Sequence, residues 1–221
     1  MTKEQVRARI VEIGIVPAVR LYSAEDALFA AEAVCEGGIP IVEVTMTVPG
    51  AIDVIHELAR HHTGILVGAG TLFHVETARR CLDAGASFLT TPGLDLEIVN
   101  FAIGREVVVF PGALTPTEIM SAWKAGSDFV KVFPCAANGG PSYIRALKKP
   151  FSEVPMIASG GVNQGNATDF IRAGAAALGI GTDLIYQDAI KRRERGWIME
   201  LARRYRKMVD EARSLQKEAA L

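Results

Sequence analysis

The stretch Lys124-Ala-Gly-Ser-Asp-Phe-Val-Lys-Val-Phe-Pro134 holds a helix end, a strand and a turn in immediate succession. Lys124-Ala-Gly126 reads as a helix terminus, because glycine just past a helix takes the left-handed conformation that closes it. Phe129–Phe133 is a short apolar run, and the proline after it marks a turn. The helix-ending phrase recurs as Glu36-Gly37-Gly38, Asp83-Ala84-Gly85 and Arg172-Ala173-Gly174, each just before another apolar run. Such runs lie at Ile15–Val19, Ile39–Val44, Ile65–Val67, Ser87–Leu89, Val107–Phe110, Phe129–Phe133, Met156–Ala158 and Ala176–Ile180, with helically spaced segments between them. Strands alternating with helices imply parallel βαβ units.

This rhythm predicts an α/β fold, a single (β/α)8 TIM barrel occupying residues 1–221 as one domain. The alternative parallel fold is an open doubly wound sheet, but no Gly-rich dinucleotide fingerprint follows the first strand. Outside the barrel rhythm, Thr2-Lys-Glu-Gln5 reads as a capping box opening an extra N-terminal helix. From Gly196 to Leu221 the pattern is one long C-terminal helix with Ile198, Leu201, Tyr205, Met208 and Val209 as its packing stripe.

Composition narrows the function classes. Of the 221 residues, 49% are hydrophobic, enough to bury a large core. The formal net charge of −1 argues against a dedicated nucleic-acid or anionic-membrane binder. No apolar stretch reaches the length of about 18 residues that a membrane span needs. Three cysteines without CxxC spacing, Cys35, Cys81 and Cys135, imply no disulfide framework and point to a reducing compartment, hence a cytoplasmic protein. No metal or cofactor motif is evident.

A barrel places its chemistry at the C-terminal ends of its strands. There Lys131 interrupts an apolar run. Strand alternation sets Phe129, Lys131 and Phe133 on one face and gives Val130 and Val132 to the helix layer. An amine that loses hydration inside a barrel can attack a ketone and form a Schiff base. The plain structural reading is a lysine reaching from a strand end to a carboxylate. Glu43 interrupts Ile39-Pro-Ile-Val-Glu-Val-Thr45 in the same way. Strands two and six are both even-numbered, and alternate strands fill the same interior layer, so the two side chains can meet. A carboxylate beside the amine supplies the proton shuttle that imine chemistry needs. Ser159-Gly160-Gly161 and Gly179-Ile-Gly181-Thr182 follow strands seven and eight, where barrels commonly hold phosphate on backbone N–H groups.

Taken in order, Glu43-Val-Thr, Gly68-Ala-Gly-Thr71, Thr91-Pro-Gly93, Pro111-Gly112, Lys131-Val-Phe-Pro134, Asn138-Gly-Gly140 and Ser159-Gly-Gly161 resemble the 2-keto-3-deoxy-6-phosphogluconate (KDPG) aldolase family, including members that take 4-hydroxy-2-oxoglutarate. The resemblance covers about Glu12 to Ile190. It implies a trimeric class I lyase that releases pyruvate and glyceraldehyde 3-phosphate from a phosphorylated 2-keto acid without a metal or cofactor. On that pattern Lys131 is the Schiff-base lysine and Glu43 the acid/base. Thr71 helps bind the pyruvate carboxylate, Phe133 packs beside the imine, and Pro92, Ser159 and Gly160 line the substrate. Gly161, Gly181 and Thr182 match phosphate-site positions. Many relatives carry an arginine shortly after the glutamate, where this chain has Thr47. A second subgroup has it at the end of strand one, so the carboxylate-binding arginine is carried to Arg20. The galactonate epimer of the substrate fits the same residues. A sugar-phosphate isomerase or epimerase shares barrel and phosphate site but needs no imine-forming lysine, and a non-catalytic sugar-phosphate binder leaves the Glu43–Lys131 pair without a purpose.

Three further signals carry less. His56-Glu57 and His61 have His-Glu-x-x-x-His spacing, which takes the second histidine off the face a zinc helix uses. The Lys- and Arg-rich segment 191–207 is flanked by acids and reads as a solvated face. Cys135, close to the lysine strand, is a candidate for inactivation by thiol modification.

Overall fold

A computed structural model describes residues 1–218. The strands are β1 (Ile15–Val19), β2 (Ile41–Thr45), β3 (Leu66–Gly70), β4 (Phe88–Thr90), β5 (Val108–Phe110), β6 (Gly112–Ala113), β7 (Val130–Val132), β8 (Met156–Ser159) and β9 (Ala177–Ile180). The helices are α1 (Lys3–Ile13), α2 (Ala24–Glu36), α3 (Ala51–His61), α4 (Val75–Asp83), α5 (Leu96–Gly104), α6 (Pro116–Lys124), α7 (Gly140–Lys148), α8 (Ala167–Arg172), α9 (Gln187–Lys191) and α10 (Arg195–Glu218).

The strands pair in the order β5-β4-β3-β2-β1-β9-β8-β7-β6, with parallel register throughout. Only Pro111 separates β5 from β6. It has no N–H to give the ladder and divides the fifth barrel strand into two pieces, a break the sequence rhythm did not predict. Counting those pieces as one gives the expected eight strand positions. The expected helix ends are also present: Gly38, Gly85, Gly126 and Gly174 all have φ between +93° and +107°.

The added helices close the fold where the barrel alone would leave apolar surface. Thr2 and Gln5 form the reciprocal capping box of α1. Lys3 pairs with Asp128 at 3.1 Å and the Arg7 guanidinium lies 5.9 Å from the Phe129 ring centre, so α1 packs under the N-terminal end of β7. Inside that end, Phe88 stacks on Phe110 and Phe110 meets Phe129 edge-on.

The long C-terminal helix runs from Arg195, with Ile198, Leu201, Tyr205 and Val209 buried along its inner face and Met208 half-buried. The part of the expected helix at 219–221 lies outside the described residues. Arg206 and Arg213 on α10 donate to the carbonyl oxygens of Val11, Glu12 and Ile13 at the end of α1. Cations there satisfy acceptors that a helix terminus leaves open and complement its negative pole.

The basic segment 191–207 is largely paired within the chain. Arg193 engages Glu25 and Asp26, and Arg195 engages Glu32 and Glu36. On α3, His61 pairs with Glu57 at 2.9 Å on an exposed face. Among the described residues no helix is long and apolar enough to cross a membrane.

Candidate active site

Even-numbered barrel strands turn three polar side chains into one interior layer. Glu43 comes from β2, Thr90 from β4 and Lys131 from β7, the sixth strand position. The Lys131 Nζ lies 3.4 Å from each Glu43 carboxylate oxygen and 3.3 Å from the Thr90 hydroxyl. Glu43 is 3% exposed and Lys131 8%. Alternation produces this: Val42, Val44, Val130 and Val132 go to the helix layer, which leaves the polar residue between each pair facing the axis. A buried charge without a partner is costly, and here each has the other.

The layer has room for the carboxylate because β3 ends in glycine. A Cβ at Gly70 would overlap the Glu43 carboxylate, so a side chain there would displace it. Above the pair, Lys131 Nζ sits 5.7 Å from the Phe133 ring centre.

A cavity of about 200 Å³ opens from this layer to the C-terminal face of the barrel. Its lining includes Arg20, Glu43, Thr71, Pro92, Lys131, Phe133, Ser159, Gly160, Gly161, Gly181 and Thr182, so the fold brings every site residue expected from the sequence to one place. Shallower hollows of greater volume exist, one of about 440 Å³ beside Glu36, Arg203 and Lys207, but they are open surface and hold no buried polar pair.

Arg20, just past β1, donates from Nη2 to the Thr71 hydroxyl at 3.3 Å. Thr71 itself has φ +60°, an uncommon value for a β-branched residue, and sites that hold such strain are often functional. The arginine is exposed at the mouth of the cavity. Thr47, the other position considered for the arginine, is exposed and shares a 2.7 Å hydroxyl contact with Thr45.

The opposite wall is made by the turns after β8 and β9. Gly160 and Gly161 have φ +85° and +80°, and side chains there would strike Pro134, Phe133 and Ala136. Among the described residues, no protein acceptor takes the N–H groups of Gly161, Val162, Thr182 or Asp183. Free N–H groups in consecutive glycine-rich turns form an anion-binding concavity.

Two polar lining or contact side chains were not foreseen. Thr90 was legible in principle, since the parity that paired strands two and six also applies to strand four. Asp183 also lines the cavity, and no spacing in the sequence singles it out.

Cys135 departs from its expected role. Its thiol is fully buried, and burial pushes its pKa up to about 12. The reactive species is the thiolate, so a thiol held in its neutral form is a poor target.

Comparison with known proteins follows the same lines. Residues 6–201 match the family described as KDPG and KHG aldolase. The chain is 33% identical to a Pseudomonas aeruginosa 2-dehydro-3-deoxy-phosphogluconate aldolase, over 76% of this chain and 78% of that protein. It is 32% identical to an Escherichia coli 2-dehydro-3-deoxy-6-phosphogalactonate aldolase, over 78% and 85%. A crystal structure of KDPG aldolase from Legionella pneumophila, with pyruvate captured as a covalent carbinolamine, superposes with a TM-score of 0.84 at 30% identity, covering 90% of this chain and 97% of that one.

Proposed function

Since the chain belongs to the KDPG and KHG aldolase family, we propose that it is a class I carbon–carbon lyase that cleaves KDPG to pyruvate and glyceraldehyde 3-phosphate through an imine on Lys131. The observation that carries this reading is the buried Lys131–Glu43 pair at 3.4 Å on the floor of the cavity. An isomerase or epimerase has no use for that amine.

The amine of Lys131, its proton passed to Glu43, attacks C2 of the keto acid to give a carbinolamine. Loss of water, with Glu43 returning a proton to the departing hydroxyl, gives the imine. Glu43 then takes the proton of the C4 hydroxyl, the C3–C4 bond breaks, and its electrons flow into the imine to form an enamine as the aldehyde leaves. Protonation at C3 and hydrolysis release pyruvate and restore the amine. Thr90 holds the Nζ in place between its two partners, with a hydroxyl 3.3 Å away. Arg20 and Thr71 bind the pyruvate carboxylate at the mouth, Phe133 packs on the imine, and Pro92 and Ser159 flank the chain of the substrate. The N–H groups around Gly160, Gly161, Gly181 and Thr182 receive the phosphate.

Incubation with pyruvate and borohydride tests the mechanism. The expected product is a carboxyethylated Lys131, absent in Lys131→Ala, and an unmodified wild-type chain would sink the reading. Side-by-side kcat/KM on KDPG, its galactonate epimer and 4-hydroxy-2-oxoglutarate then ranks the substrates.

Three coarser assignments belong to the same proposal. Residues 1–221 form one domain, supported by a single apolar cluster running from Val6 to Ala212. The enzyme works as a homotrimer, for which exposed Phe73, Leu96 and Met120 offer apolar surface; light scattering gives the mass. It is cytoplasmic, in keeping with three free cysteines.

A further inference from the structure

Behind the glycine-rich wall stands a side chain from outside the barrel. Tyr205, on the inner face of α10, is fully buried. A buried tyrosine brings a large apolar ring and a hydroxyl that needs a partner. Here the hydroxyl donates to the backbone carbonyl of Asp183, at 3.4 Å, in the turn after β9. The backbone N–H of Gln164, in the turn after β8, bears on the same phenol. Burial and the Asp183 carboxylate push its pKa up, and the Gln164 N–H pulls against both. The phenol is therefore protonated at neutral pH, a donor to one turn with an oxygen open to the N–H of the other.

The two turns need such a link. The paired register of β8 and β9 runs up to Ser159 and Gly179, and the wall lies beyond it. Past that point each turn is fastened within itself. After β8, Asn166 donates to the Gly161 carbonyl at 3.0 Å and accepts from the Asn163 N–H at 2.9 Å. After β9, the N–H groups of Leu184 and Ile185 both reach the Gly181 carbonyl at 3.0 Å. The N–H groups without a protein acceptor among the described residues are divided between the turns, Gly161 and Val162 on one, Thr182 and Asp183 on the other. An anion held by both sets is held well only when their spacing is fixed in advance, because ordering them on binding costs affinity.

We propose that Tyr205 is a positioning residue for the phosphate wall: its hydroxyl couples the two turns from behind, so the C-terminal helix sets how tightly the phosphorylated end of the substrate is held. The inference rests on the aldolase reading above. Tyr205 touches no reacting atom, and the chemistry at Lys131 does not depend on it.

The test compares the full-length wild type with Tyr205→Phe, which keeps the ring and removes only the hydroxyl. Steady-state constants are measured on KDPG and on 2-keto-3-deoxygluconate, the same acid without the phosphate, with thermal melting of both proteins recorded. KM for KDPG is expected to rise about three- to tenfold, the worth of one hydrogen bond, while kcat stays within about twofold. KM for the unphosphorylated acid and the rate of pyruvate trapping on Lys131 are expected to stay as in wild type. A purely structural hydroxyl would lower the melting temperature and leave the ratio of the two KM values unmoved, and that result overturns the proposal. It is equally overturned if wild type traps pyruvate yet binds the two acids alike, since the wall then holds no phosphate, while the imine mechanism stands. Failure of wild type to trap pyruvate removes the aldolase reading itself.

Discussion

The Glu43 carboxylate occupies the space that a side chain at Gly70 would fill. The two residues are not register partners: Glu43 pairs with Gly68 and Thr45 with Gly70, so the glutamate side chain reaches two positions along the neighbouring strand. The glycine thus sets where the proton shuttle stands relative to the amine. Gly70→Ala is expected to keep the fold and push the carboxylate off Lys131. A misplacement of about 1 Å can cost on the order of a hundredfold in rate. Cleavage by the variant within threefold of wild type, at unchanged far-UV circular dichroism, would show that the contact is dispensable.

Glu43→Gln separates the two jobs assigned to that carboxylate. The amide keeps the shape and removes the shuttle, so pyruvate is still trapped, more slowly, while cleavage falls by about 10²–10⁴. Stopped-flow turnover and borohydride trapping, measured on the same preparation, read the two steps independently. Equal small losses in both would return Glu43 to a structural role.

Thr90 is a positioning residue for the amine. Thr90→Val removes one hydrogen bond to Nζ with little change of volume and should slow imine formation by about tenfold, the worth of a hydrogen bond to a charged group. Thr90→Ser, which restores the hydroxyl, should recover most of the rate. If Val and Ser variants behave alike, packing and not the hydroxyl is what matters.

Arg20 is exposed, so its removal strands no buried charge. Arg20→Ala should therefore weaken pyruvate capture by only roughly 1–2 kcal/mol, visible as a raised KM with a smaller change in kcat. Arg20→Lys recovers part, because an ammonium lacks the two-pronged geometry. Normal pyruvate affinity in Arg20→Ala would leave the carboxylate to Thr71 and the backbone.

Cysteine chemistry has a defined order. Half-buried Cys35 should alkylate before Cys135, and modification of Cys35 should leave turnover intact. Because burial raises the Cys135 pKa from its ordinary 9.0 to about 12, the neutral thiol favours the folded state. That contribution is complete below pH 9 and is lost as pH rises from there toward 12. Peptide mapping after iodoacetamide at pH 7.5 checks the order; early labelling at Cys135 contradicts the buried thiol.

Local chemistry made the barrel legible. Glycines that close helices at 38, 85, 126 and 174, apolar runs of strand length and a capping box at Thr2 are each settled within a few residues, by backbone sterics and short-range burial. Strand alternation and strand parity likewise foretold that Lys131 and Glu43 meet, since both follow from position along the chain. What sequence could not supply was whatever depends on where side chains from distant strands end up. Pro111 splitting a barrel strand, Arg20 reaching Thr71, Thr90 completing the contacts of the amine, and Asp183 lining the cavity all depend on packing between elements far apart in the chain. Periodicity fixes which face a residue occupies. Only the closed barrel fixes which charges share a cavity, because that depends on how distant strands are brought together.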